Sequence, residues 1–322
     1  MMHMEMDPVF SKAIRERVRG RLAFDEPMAA HTWLRVGGPA DIYVQPEDEA
    51  ELVSLVKWLV ARDAAYIIVG GGSNLLVTDR GIRGVVVDTT ACIKGITRVA
   101  ETRGESGETV EVRAMAGEPL NRLCRYAIEE GLAGLIFAVG IPGTVGGAIC
   151  MNAGAAGRSI ADILKAVRLL LPDGRMQTLD RAELSYVYRG LVLPETGDPA
   201  LHPPVVLEGR FALSAGSRQV LEQEAEVRLR QRREGQPKGG STAGCFFKNP
   251  SPDMPAGRLI DQAGMKGRAV GDAIVSEKHA NFIVNQGNAS AADILQLMAT
   301  VQDAVYQKFH ITLAPEVRIV GE

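Results

Sequence analysis

Apolar positions recur along this chain with two periods, and the switches between them mark out most of its elements. Leu52, Leu55, Val56, Leu59 and Val60 follow a helical spacing behind a first turn that carries Glu47, Asp48 and Glu49. Acidic groups there complement the helix dipole, so an amphipathic helix is predicted. Leu120, Leu123, Cys124 and Ala127 give the same signal over residues 119–129. Ile294, Leu297, Met298, Val301 and Val305 form the strongest stripe, with Ser290 placed as its N-cap. Shorter helices are expected over 8–19 and 256–263. Runs at 40–44, 66–69, 84–88, 109–114, 205–213 and 281–284 read as strands, with the polar residues 103–108 as a surface turn. Residues 165–171 and 176–179 flank Pro172-Asp173-Gly174 as a hairpin, and 311–320 is extended. Between 217 and 234 the chain is densely charged, which predicts a solvated helix with Arg230, Arg232 and Arg233 near its C-terminal end.

Two glycine-rich stretches interrupt this pattern. In the first, the strand at 66–69 runs into Gly70-Gly71-Gly72-Ser73-Asn74-Leu75, completing a strand, helix, strand and loop order like a βαβ unit. Glycines let backbone approach a ligand closely, and consecutive N–H groups there can converge on a phosphate oxygen. The stretch reads either as such an anion cradle or as a tight surface turn. A Rossmann fingerprint would need its third glycine where Leu75 stands, and a phosphate-binding Gly-Lys-Ser/Thr is absent because Asn74 follows Ser73. The second stretch runs from Gly140 to Gly157 through Ile141, Pro142, Gly143, Thr144, Gly146 and Ala148. So many small residues cannot fill a core, which leaves two readings: backbone packed on something large and flat, or a short glycine-punctuated helix lying close on a sheet.

Composition narrows the function classes. At 322 residues, 46% hydrophobic and 23% charged, the chain suits a globular protein of about two domains. A net charge of -3 announces no nucleic-acid surface. No apolar run approaches the roughly 20 residues that span a bilayer, and the first residues lack a basic region followed by an apolar one, so a cytoplasmic location is the expectation. Cys92, Cys124, Cys150 and Cys245 show no paired spacing, and no histidine stands at metal-ligand spacing, so neither disulfides nor a metal is expected.

Six motifs then occur in one order: Gly70 to Leu75, Gly140 to Asn152, Tyr188-Arg189, Gly244-Cys245-Phe246-Phe247-Lys248-Asn249-Pro250, Lys278-His279-Ala280-Asn281-Phe282-Ile283-Val284-Asn285, and Pro315-Glu316-Val317-Arg318. Together they closely resemble the UDP-N-acetylenolpyruvoylglucosamine reductase family, from about Thr32 to the C-terminal end. The resemblance implies an α+β flavoprotein: a two-subdomain FAD-binding fold of the vanillyl-alcohol-oxidase type plus a C-terminal α+β substrate-binding domain. The expected division is an N-terminal helical segment at 1–30, the FAD-binding domain at 31–214 and the substrate domain at 215–322. It further implies non-covalent FAD, NADPH as reductant, and reduction of a UDP-sugar enolpyruvyl ether to the lactyl ether for peptidoglycan, with no nucleic-acid, membrane or obligatory protein partner. The short stretch from Gly190 to Pro204 matches the shorter subclass of the family.

The resemblance assigns roles residue by residue. Hydride delivered to the terminal enolpyruvyl carbon leaves an enolate-like charge that needs preorganised partners. Arg189 is implied to clamp the substrate carboxylate, Tyr188 to place the substrate, and Glu316 to stabilise or protonate the intermediate. Arg318, two residues along an extended segment, is expected to share a face with Glu316 and support the flavin. FAD contacts are expected from Gly70, Gly71, Gly72, Ser73, Asn74 and Leu75 and from Ile141, Pro142, Gly143, Thr144, Gly146 and Ala148. Lys248, Asn249 and His279 match substrate-contacting positions. Where the family carries a proton-donating serine this chain carries Cys245, and a thiol with a reference pKa of about 8.5 can serve as the acid. The rival readings are another flavin oxidase of the same fold, and a nucleotide-binding protein without redox chemistry.

Overall fold

The computed structural model describes residues 8–104, 107–192, 201–237 and 241–322. The tip of the turn expected at 103–108, Gly239-Gly240 and much of the 190–204 stretch lie outside the described residues. The described chain forms two compact units, and neither is contiguous: one comprises Met1–Glu26, Ala40–Gly71 and Gly84–Arg228, the other Pro27–Pro39, Gly72–Arg83 and Leu229–Glu322.

In the first unit, helix α1 (Pro8–Arg17) precedes a four-stranded sheet ordered Arg21–Pro27, Pro39–Gln45, Ile82–Asp88, Tyr66–Val69. Helix α2 (Glu49–Val60) forms for the reasons its sequence gives. The Asp48 carboxylate accepts the Glu51 N–H at 2.7 Å, and Leu52, Leu55, Val56 and Leu59 are fully buried. The strand after it, Tyr66–Val69, pairs in parallel with Val85 to Asp88. The expected strand, helix, strand order is present in one sheet, with the later strand Ile82–Asp88 inserted between the two strands.

A second sheet runs Met176–Asp180, Leu164–Leu170, Val205–Ala215, Gly107–Met115, Ile96–Gly104, with Leu132–Ala133 also pairing to Val205–Ala215. Helices α3 (Leu120–Glu129) and α4 (Val145–Cys150) belong to this unit. Ile96–Gly104 was not legible as a strand. It is an edge strand with a register shift between Arg98 and Ala100, and residues 98–102 are exposed, so no alternation of burial marks it. Arg168 ties the sheet to α2: its guanidinium forks onto Glu49 at 2.7 and 2.8 Å and reaches the buried Glu208 at 3.1 Å.

Helix α5 (Arg218–Gly235) buries only Leu221 and Ala225, in keeping with a solvated helix, and the division between the units falls within it. The second unit holds α6 (Ala256–Gln262) and α7 (Ala291–Phe309), a three-stranded sheet of Ala269–Val270, Ala273–Val275 and Ile283–Asn285, and a parallel pair, Leu75–Val77 with Arg318–Val320. Its core gathers Leu34, Leu76, Phe246, Phe247, Ile260, Leu297, Val301, Val305 and Leu313. The start of α7 is capped twice. Ser290 and Asp293 exchange a capping box, and both Asp79 carboxylate oxygens accept N–H groups, from Ala291 and Ala292, at 2.8 Å. Among the described residues no helix is long and apolar enough to cross a membrane.

Candidate active site

The two glycine-rich stretches meet in the first unit. A Cβ on Gly70 would stand 2.5 Å from the Thr144 hydroxyl, and one on Gly71 would stand 3.1 Å from the Gly143 Cα. A side chain at 70 would collide with Thr144 and one at 71 would crowd Gly143, so bare glycine backbone is what lets the two stretches pack this closely. Thr144 caps α4 by accepting the Gly147 N–H at 3.3 Å. Gly146 serves packing: its N–H reaches the Ala116 carbonyl at 2.8 Å and a Cβ there would meet Ala116 at 2.8 Å. The short glycine-punctuated helix is present at Val145–Cys150. Gly143 and Thr144 face the triple glycine, while Gly146 and the buried Ala148 seat a short helix. Ile141 is half-buried and Pro142 exposed.

The third glycine belongs to the second unit. Gly72 has φ +61, and a Cβ there would overlap the His31 carbonyl oxygen, so glycine is required by conformation and by space. From here Ser73 and Asn74 lead into the strand Leu75–Val77. The Asn74 carboxamide donates to the Glu316 carbonyl at 3.1 Å, and the Asn74 carbonyl accepts the Arg318 N–H at 3.0 Å. Leu75 is buried, so its contribution at a surface is its backbone. The loop and the Pro315-Glu316-Val317-Arg318 motif, remote in sequence, are thus bonded to each other.

Cys245 lies on a strap of backbone held from both sides. The Phe246 N–H bonds the Asn281 carbonyl at 2.9 Å, and the Phe246 carbonyl accepts the Glu316 N–H at 2.8 Å. The Lys248 N–H reaches the Ala314 carbonyl at 2.8 Å. The buried Asn281 side chain then closes a two-way pair with Phe247, donating to its carbonyl at 2.8 Å and accepting its N–H at 3.0 Å. Cys245 and Glu316 accordingly sit on neighbouring backbone segments with little freedom to drift. Cys245 is half-buried, unlike Cys124, whose thiol burial pushes up to about 12. A bend at Val317 interrupts the extended run, so simple alternation does not carry from Glu316 to Arg318, which is exposed.

His279 is half-buried, edge-on to Phe282, and accepts the Asn281 N–H on Nδ1 at 3.3 Å. Burial holds its pKa below the usual imidazole range. A neutral ring whose Nδ1 accepts carries its proton on Nε2, which makes it a hydrogen-bond donor. The Asn249 carboxamide oxygen accepts the first N–H of α6, from Ala256, at 2.9 Å. Its amide nitrogen is the end left for a ligand, and the Lys248 side chain is half-buried beside it in sequence.

Tyr188 and Arg189 form the two-residue turn of a hairpin, Ser185–Val187 with Gly190–Val192, in the first unit. Arg189 has φ +60, a left-handed conformation uncommon for a residue with a Cβ, and its guanidinium lies 5.2 Å from the Tyr188 ring centroid. The second strand of the hairpin packs against α4, the helix that carries Gly146 and Ala148. Tyr188 is 49% exposed, so the turn presents an aromatic ring at the surface, while Arg189 is half-buried.

Within each unit the structure thus brings together residues that the sequence scatters: Gly70 and Gly71 with Gly143 and Thr144, and Ser73–Asn74 with Cys245, Asn281, Glu316 and Arg318. Asn281 carried no role in the sequence reading beyond membership of a motif. Its signal was an asparagine set among apolar residues just before the strand Ile283–Asn285, where a carboxamide needs a buried partner.

Glycine backbone from two segments thus packs together at the capped start of a helix. A family model described as FAD binding domain matches residues 40–180, and the chain is an FAD-dependent oxidoreductase. A second model, described as the C-terminal domain of UDP-N-acetylenolpyruvoylglucosamine reductase, matches 236–320. The enzyme of that name from Desulfosudis oleivorans is 46% identical over 317 residues, covering 98% of this chain and 100% of its own. Its namesake from Geotalea uraniireducens is 42% identical, covering 94% and 95%. The crystal structure of UDP-N-acetylenolpyruvylglucosamine reductase from Thermus caldophilus superposes with a TM-score of 0.74 at 35% identity, covering 94% of this chain and 99% of the other. The chain belongs to the UDP-N-acetylenolpyruvoylglucosamine reductase family.

Proposed function

We propose that this chain reduces UDP-N-acetylglucosamine enolpyruvate to UDP-N-acetylmuramate with NADPH as reductant, making a peptidoglycan precursor in the cytoplasm. The observation that carries the reading is the hydrogen-bonded strap that sets Cys245 beside Glu316 and ties both to the Ser73–Asn74 loop. Gly70 to Leu75 and Ile141, Pro142, Gly143, Thr144, Gly146 and Ala148 would hold FAD, which in its reduced form would supply hydride to the terminal enolpyruvyl carbon. Arg189 pairs with the substrate carboxylate, onto which negative charge moves as the new C–H bond forms; Tyr188 positions the sugar nucleotide. The Cys245 thiol gives its proton to the adjacent carbon, and Glu316 stabilises the intermediate. Arg318 supports the flavin. His279, donating through Nε2, Asn249 through its amide nitrogen and Lys248 contact the substrate.

The test is stopped-flow oxidation of the reduced, FAD-loaded protein by UDP-N-acetylglucosamine enolpyruvate. Reoxidation faster than in buffer alone is expected, with UDP-N-acetylmuramate as product. Equal rates would end the proposal.

A further inference from the structure

The chain holds two tryptophans with opposite surroundings. Trp58 is 6% exposed, covered by Phe10 at 4.9 Å between centroids and by the guanidinium groups of Arg17 and Arg62. Trp33 is 53% exposed, although its backbone is anchored within the second unit. Its N–H donates to the Gly72 carbonyl at 3.1 Å. The turn around it is closed by the Arg35 N–H on the Thr32 carbonyl at 3.1 Å. Thr32 and Leu34 on either side are buried, the Thr32 hydroxyl donates to the Val36 carbonyl at 2.9 Å, and the Asn285 carboxamide donates to the Leu34 carbonyl at 2.9 Å. Arg35 completes the turn at φ +54.

A large apolar ring left in water loses the stabilisation that burial would give it, and an unanchored loop would let it fold back onto protein. Here the Trp33 backbone is bonded directly to Gly72 of the glycine loop while more than half of the residue stays open to solvent. We propose that Trp33 is an aromatic platform on which a heteroaromatic ring of FAD stacks, next to the glycine loop. Stacking of a base on an aromatic side chain is sequence-tolerant and strong enough to matter for affinity. The platform assigns Trp33 to cofactor retention. It rests on FAD binding and is independent of the hydride and proton steps.

The test uses the full-length chain, stripped of flavin and then reloaded. N-bromosuccinimide oxidation with peptide mapping reads indole accessibility residue by residue. Trp33 is expected to oxidise in the flavin-free protein and to be protected by FAD, while buried Trp58 stays unreactive in both. FMN and ADP, added separately, identify the stacked ring by which of them protects. Trp33→Ala should weaken FAD binding on the order of tenfold, and Trp33→Phe, which keeps a ring, should stay within about threefold of wild type. Oxidation of Trp33 at an unchanged rate under saturating FAD, protection by UDP alone, or unaltered FAD affinity in Trp33→Ala would each overturn the platform. Full protection by FAD without reoxidation by the enolpyruvyl substrate would overturn the reductase reading only.

Discussion

Arg189 offers a way to separate stability from activity at a single position. Its φ of +60 places it at the second residue of a two-residue hairpin turn, since Val187 pairs with Gly190 and Tyr188 has no positive φ. That is the type II pattern, in which glycine is the favoured residue. A side chain with a Cβ costs roughly 1–2 kcal/mol in this region. Glycine escapes the cost but gives back roughly 0.5–1 kcal/mol through the greater freedom of the unfolded chain. Arg189→Gly and Arg189→Ala both remove the guanidinium and its contact with Tyr188, so the difference between them isolates the backbone. The glycine variant is expected to be more stable than the alanine variant by about 0.5–1 kcal/mol, measured by urea unfolding of the two proteins side by side. Turnover should fall by about 100- to 1,000-fold in both, the scale of losing one preorganised charge partner. An alanine variant as stable as the glycine variant would refute the strained turn, and high turnover in either would refute the carboxylate clamp.

Three further outcomes follow from the same geometry. Cys245→Ser should keep substantial turnover because a hydroxyl can take the donor's place, while Cys245→Ala should lose on the order of 100-fold or more; equal rates in wild type and Cys245→Ala would remove Cys245 from the chemistry. Asn281→Ala leaves the Phe247 N–H and carbonyl without their side-chain partner in a buried site, so a loss of about 2–4 kcal/mol is expected in chemical denaturation, and a loss below about 0.5 kcal/mol would contradict the strap. Burial holds the His279 pKa below its unfolded value, so between that lowered pKa and about 6.5 the unfolded chain binds a proton that the folded chain does not. Stability should therefore fall as pH drops through this window and be fully regained above it; His279→Gln should flatten that limb in unfolding curves taken between about pH 5 and pH 7.5, and an unchanged slope would show that His279 does not contribute to it.

How much of this was legible in the sequence depends on whether the determining interaction is local. Helix α7 was readable from its first residue through its buried stripe, because the stripe and the Ser290 cap lie within the helix and the residue before it. The strand Tyr66–Val69 and the glycines after it were readable for the same reason. What the glycines pack against was not. Gly71 meets Gly143 and Gly72 meets the His31 carbonyl, and no periodicity links those positions. The same holds for Leu75–Val77, whose partner is Arg318–Val320. A three-residue strand carries too little pattern to announce a partner more than two hundred positions away.

That pairing also explains why cuts at single points along the chain fit the structure poorly. Pro27–Pro39 and Gly72–Arg83 cluster with the C-terminal residues because their hydrogen bonds are there: Leu34 with Asn285, Asp79 with the start of α7, Asn74 with Glu316 and Arg318. The chain leaves the first unit between Gly71 and Gly72, in the middle of the triple glycine. Gly70 and Gly71 are fixed by Thr144 and Gly143 of one unit, and Gly72 and Asn74 by His31, Trp33 and Glu316 of the other. A substitution at Gly71 and one at Gly72 therefore act on different packing. The first crowds the backbone cradle shared with Gly143; the second forces a left-handed residue against the carbonyl of His31, beside the turn that presents Trp33. The three glycines read as one motif in sequence, yet each is required by a different neighbour.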